Sequence, residues 1–189
     1  MDKLLSITLG IGLSAACGFR VFVPLLLLSI FGLGGYVRLA PGFEWVGTIP
    51  ALITFATATV LEILGYYIPW VDHLLDVAAG PAALVAGVIV SASVLQDMQP
   101  LAKWSIALIG GGGMVGIIQG ATSLARLKST LFTGGAANFI VSTLELMAAV
   151  FTSLLALFLP VLGLVLVLSL VTFIFIKSKR FLFGWKRVQ

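Results

Sequence analysis

Between Lys3 and Arg38 the chain carries one charge, Arg20, in the middle of an otherwise apolar run. A cation left alone in hydrocarbon costs several kcal/mol, so any fold of this chain must give Arg20 a partner or a watery cavity. Three further charges raise the same problem: Glu62, Arg126 and Glu145 are each embedded in apolar segments. Two arginines and two glutamates of balanced sign predict a polar core inside a membrane protein. Such a core is either a permeation site or a structural clamp.

The membrane assignment follows from composition. Of 189 residues, 60% are hydrophobic and 10% charged, far from ordinary globular usage, and a soluble core of this size has no room for so much apolar side chain. The apolar runs are continuous and about as long as a helical span, without the alternation of a membrane β-barrel. The expected class is therefore an all-α integral membrane protein. One cysteine, Cys17, leaves no internal disulfide or cysteine-based zinc site, and one histidine, His73, makes no two-histidine metal site. A net charge of +4 points to nucleic acid in a soluble domain. Here five of the eleven basic residues fall after residue 176, which reads as a topology signal and excludes nucleic acid as a partner. Lys3, the following apolar stretch and Ser14-Ala15-Ala16-Cys17 imitate a cleavable leader, but apolar sequence resumes after Arg20, so residues 4–33 are expected to stay as membrane structure.

Apolar segments run at 4–33, 48–70, 77–96, 102–133, 138–158 and 160–176. About six transmembrane segments place both termini on one side, together with Lys3, Arg126, Lys128, Lys177, Lys179, Arg180, Lys186 and Arg187; Arg38 and Lys103 fall on the other. By the positive-inside rule both ends face the cytoplasm of the inner (plasma) membrane. Residues 4–33 would span about 45 Å as one helix, against a hydrocarbon core of about 30 Å. That segment holds Cys17-Gly18 and Pro24, and 102–133 holds Gly110 to Gly113 and Gly120, so both are expected to be broken or re-entrant. The halves 4–97 and 102–176 of a single membrane domain follow one plan, with a basic tail at 177–189. Each has an Arg on a glycine-containing segment, a Glu on the next helix, and a closing helix opened by proline: Arg20, Glu62, Pro81 and then Arg126, Glu145, Pro160. Three spans per half make this an inverted 3+3 repeat, a layout found in secondary transporters.

These residues resemble a family of small polytopic bacterial membrane proteins catalogued only as a domain of unknown function. Gly18, Arg20 and Pro24 match its G-x-R-x-x-x-P; Glu62, Ile68, Pro69, Asp72 and Asp76 match a glutamate followed by I-P-x-x-D-x-x-x-D; Arg126, Asn138, Ser142 and Glu145 match the second half. The chain departs at Gly65, Tyr66 and Tyr67, where relatives have an acidic-basic pair, and at Leu146, where they have an acid. The resemblance implies the architecture and no activity.

Arg20 and Arg126 can bind an anionic headgroup or solute, or pair with Glu145 and Glu62 to pin the halves together. The two glutamates can carry protons or cations, or be structural. Asp72 and Asp76 stand four apart with His73 between them, and together form a candidate gate or cation contact; the plainer reading is an amphipathic connector with a solvated face. The glycine run either opens a helix to substrate or lets helices pack closely. No Ser-His-Asp set, HExxH or P-loop is present, so neither an enzyme nor a cofactor is expected. The leading function is an inverted-repeat transporter or channel-like permease for a small ion or polar solute, with its site near the bilayer midplane. Its rivals are a non-transporting subunit that docks on or stabilises a larger membrane complex, and a lipid-moving protein whose arginines meet headgroups. Partners would be membrane lipids, the ion or solute, and a second copy or a larger complex.

Overall fold

The computed structural model describes residues 2–134 and 137–184, with side chains for all of these except 69, 70, 72, 73, 76 and 178–184. In chain order the helices are α1 (Lys3–Cys17), α2 (Phe22–Leu33), α3 (Ile49–Tyr66), α4 (Pro69–Val94), α5 (Pro100–Thr133), α6 (Asn138–Phe158) and α7 (Pro160–Gly184). A 3-10 turn at Glu44–Gly47 precedes α3. Proline opens α4, α5 and α7 and sits at the second position of α3, where its missing N–H would have had no intrahelical acceptor. Gly134, left-handed at φ 63°, closes α5.

Among the described residues five helices are long and apolar enough to cross a membrane: α3, α4 from Val77 onward, α5, α6 and α7 as far as Lys177. Their limits follow the apolar runs closely, because side chains that face lipid must be apolar and the backbone beneath them must be hydrogen-bonded within the helix. Large side chains such as Ile53, Leu61, Ile109, Phe151 and Phe173 point outward, as a lipid-facing surface requires. Exposed Tyr36, Trp45 and Trp104 gather at one end as an interfacial aromatic belt.

The first apolar segment is a helical hairpin. Helices α1 and α2 have 15 and 12 residues, about 22 and 18 Å each and short of the hydrocarbon thickness. Both outer ends lie at the same end of the bundle. Gly10, midway along α1, abuts Ser91 and Val94 near the end of α4, and Ile7, a turn earlier, packs with Ala92 and Leu95. Just beyond α2, Ala40 N–H donates to Ser93 O at 2.7 Å and Gln96 Nε2 donates to Arg38 O. The arms also meet the same end of α6, Gly12 at Ala156 and Phe31 edge-on to Phe158 at 5.2 Å. The chain turns back at residues 18–21, so Arg20 sits at the tip.

Close packing explains the glycines. A Cβ on Gly12 would lie 2.9 Å from that of Ala156, and one on Gly163 would lie 2.9 Å from Ala156 Cα; α1, α6 and α7 thus converge on one small residue. At the tip, a Cβ on Gly18 would meet Ile118 at 2.8 Å. Helix α1 is the hub of the core, buried almost throughout from Leu9 to Cys17. Leu9, Leu13 and Cys17 cluster with Leu25, Leu28, Val90, Val94 and Val115.

Four expectations change. The 102–133 segment is not interrupted: α5 continues through π-helical turns at Ile106–Gly112, with Gly111 packed on Ser14 and Ser91. The stretch 69–76 is not a connector but the first two turns of α4, and Pro81 lies inside that helix whereas Pro160 opens α7. The landmarks used to align the halves therefore do not correspond, although α3 and α6, and α4 and α7, run in opposite senses. Finally, the first helix does not begin at the end of the bundle where the last one finishes. Helix α7 runs beside α1 in the same direction, Val167 and Val171 joining Ala15 and Ile118 in one cluster, so Lys3 and Lys177 stand at opposite ends. A hairpin followed by five long helices gives this result where six spans would not.

Candidate functional site

The four embedded charges come together at the hairpin tip, held by α2, α3, α5 and α6. Glu62 lies near the end of α3, and its two oxygens accept the first N–H groups of α2: Val21 N to Oε1 at 2.9 Å and Phe22 N to Oε2 at 3.1 Å. These donors have no carbonyl to pair with inside the helix, and a carboxylate there also meets the positive end of the helix dipole. Glu62 thus caps the returning arm of the hairpin instead of pairing with a guanidinium.

Arg126 and Glu145 form the closed pair. Arg126 Nε donates to Glu145 Oε1 at 3.0 Å and Oε2 at 3.1 Å, and Nη2 also contacts Oε2. Both residues are buried, and α5 and α6 are joined again nearby, where Asn138 Nδ2 donates to Thr130 Oγ1 at 3.1 Å.

Arg20 is held differently. Its Nη2 donates to Ser142 O at 2.9 Å and to Ser142 Oγ, and lies 4.0 Å from Glu145 Oε2. Its Nε and Nη1, buried with the rest of a side chain only 2% exposed, have no hydrogen-bond partner among the described residues. The Tyr66 ring completes the cluster, its centroid 3.9 Å from Arg20 Cζ and 4.1 Å from Arg126 Cζ, close enough for a cation–π contact with each.

The expectation that each arginine takes one acid gives way to an uneven arrangement: Glu145 serves both, tightly with Arg126 and at the limit of ion-pair distance with Arg20. Depth differs too. Glu62 and Tyr66 are near the end of α3, Arg126 is in the last third of α5, and Ser142 and Glu145 are early in α6, so the cluster lies toward one end of the bundle and not at its middle. Asp72 and Asp76 share helical backbone at the start of α4 with His73, but these three side chains lie outside the described ones, and their role as a gate stays an expectation. Among the described residues no group of three His, Cys, Asp or Glu could hold a metal.

Two participants were not singled out by sequence reasoning as site residues. Tyr66 stands four residues after Glu62, on the same face of α3, and Ser142 stands three before Glu145 on α6; helical spacing from each glutamate would have found both. Beside the cluster a groove of about 800 Å³ opens between α3 and α4, apolar except where Glu62 and Tyr66 form its inner wall.

No curated protein and no solved structure matches the chain. A family model does, over residues 7–180, which takes in the hairpin, the charged cluster and all five long helices. The chain therefore belongs to the family described as Domain of unknown function (DUF4126).

Proposed function

We propose that this protein is a small membrane permease, moving a small ion or polar solute, with the cluster at the hairpin tip as its binding site. The observation that carries this reading is Arg20. Buried charged donors are normally satisfied by protein or water, and a clamp would have closed on this guanidinium as it has on Arg126. An arginine with Nε and Nη1 unpartnered among the described residues, at the tip of a hairpin that ends inside the bundle, is a group kept for something those residues do not supply.

Orientation follows from charge. Lys3, Arg38 and Lys103 belong to the end where the hairpin begins, while Arg126, Lys128, Lys177, Lys179, Arg180, Lys186 and Arg187 belong to or follow elements at the other end. The positive-inside rule then puts the cluster and the C-terminus toward the cytoplasm and the N-terminus across the membrane.

Flux into sealed vesicles holding purified protein tests the proposal. Some ion or polar solute should pass, and Arg20→Lys should lower the rate in protein that still folds. No flux across a broad panel, with stoichiometric recovery in a larger membrane complex, would make the chain a non-transporting subunit instead.

A further inference from the structure

Two features of the cluster meet at one side chain. A guanidinium carries five N–H donors, and those on Nε and Nη1 of Arg20 have no acceptor among the described residues. The groove between α3 and α4 is walled by Leu61, Leu64, Val71, Leu75, Ala78 and Ala82. Tyr66 belongs to both, lining the groove and lying against Arg20 at 3.9 Å. One aromatic ring therefore separates an apolar channel from an unsatisfied cation.

Depth adds a third constraint. In the sequence the uninterrupted apolar run of α4 begins after Asp76, at Val77, and the groove runs from Val71 and Leu75, before that limit, to Ala78 and Ala82 beyond it. One end thus lies at the interface, where lipid headgroups reside, and the other among the tails. Its volume suits a single aliphatic chain.

The geometry points to a site for an anionic amphiphile: a phosphate or carboxylate headgroup on an aliphatic chain, entering sideways from the bilayer, with Tyr66 as the lid. The tail occupies the α3–α4 groove. Once Tyr66 swings aside, the headgroup accepts from Nε and Nη1 of Arg20, a fork that matches two oxygens of one acid group. Glu62 does not reserve the site for cations, because both its oxygens already hold backbone N–H groups and a cation reaching it would face two guanidinium groups behind. The inference rests on the binding site of the proposed permease and changes its substrate from a small soluble ion or solute to an acid carried on an aliphatic chain.

Binding to the full-length protein in uncharged detergent, read by native mass spectrometry, tests this separately from flux. The probes are lysophosphatidic acid and palmitate, with monopalmitoylglycerol as the uncharged control, an alkyltrimethylammonium as the cation, and inorganic phosphate alone. The acidic amphiphiles should bind on the order of tenfold tighter than the uncharged one, and phosphate alone should bind far more weakly. Arg20→Lys keeps the charge but loses the fork and should narrow that difference. Ala78→Leu, a substitution of an exposed groove residue, should weaken every amphiphile without touching the cluster, and serves if the first variant does not fold. Equal or tighter binding of the uncharged or cationic probe overturns the inference, as does full binding by Ala78→Leu. Phosphate binding as tightly as lysophosphatidic acid would make the ligand a soluble anion and overturn it too. Selective binding without flux keeps this inference and removes the permease; flux without acid preference does the reverse.

Discussion

Glu62 and Glu145 look equivalent as letters, yet each holds its place for a different reason, and their removal should differ accordingly. Glu145 neutralises Arg126 through a bidentate contact. Glu145→Ala leaves that guanidinium without its carboxylate and should destabilise by about 3–5 kcal/mol; adding Arg126→Met should restore much of the loss, read as melting temperatures in one detergent. Glu62 satisfies two helix-end N–H groups. Glu62→Ala should cost about 1–2 kcal/mol, and Glu62→Gln, which keeps one acceptor oxygen, clearly less. Equal losses for Glu62→Ala and Glu62→Gln would mean that the charge itself, not the cap, holds the hairpin tip.

At the scale of elements, the hairpin depends on a few close approaches. Gly12→Leu drives a side chain into Ala156 where a single Cβ would already stand 2.9 Å from its neighbour, and should destabilise by about 1–3 kcal/mol. Gly113→Ala, at a position with open space around it, should be neutral, or stabilising by about 1 kcal/mol through helix propensity. The helices themselves were legible, because lipid demands long apolar runs and proline marks where they begin. The reversal was not. Nothing local distinguishes a kinked span from a turn back: the reversal at residues 18–21 is secured by Glu62 and Ser142, distant in sequence, so its direction is a tertiary fact. Two local signals also misled. Gly110 to Gly113 read as a break but serve packing, and Pro81 read as a helix start but sits within α4, where membrane helices tolerate proline. The four site charges were legible because charge at membrane depth is rare; their pairing was not, since balanced composition fits several matchings.

For the whole molecule, if each of the five long helices crosses and the hairpin does not, the crossings are odd in number, and reporters fused at Met1 and at Gln189 should respond from opposite sides of the membrane. A fusion in the 36–46 loop should agree with the N-terminal one. Responses from the same side at both ends would mean that residues 4–33 cross the membrane after all. The exposed apolar side chains on α3, α5, α6 and α7 need lipid or another chain over them, so removal of detergent should bring prompt aggregation, reversed by supplying bilayer.

The partners of Arg20 also impose an order in time. When residues 1–33 leave the ribosome, the acid that caps α2 lies 41 residues behind its backbone partner Val21. Ser142, which holds the guanidinium, lies 122 residues behind Arg20. A segment made before the helices that hold it is thus among the last to reach its final surroundings. During synthesis Arg20 must wait at the water-facing edge of the membrane or inside the insertion machinery, and enter the bundle only when α6 arrives. With Cys17→Ser in place, chains halted before residue 142 should leave a cysteine substituted for Val21, beside the intact Arg20, open to water-soluble thiol reagents, and chains halted after α6 should close it off.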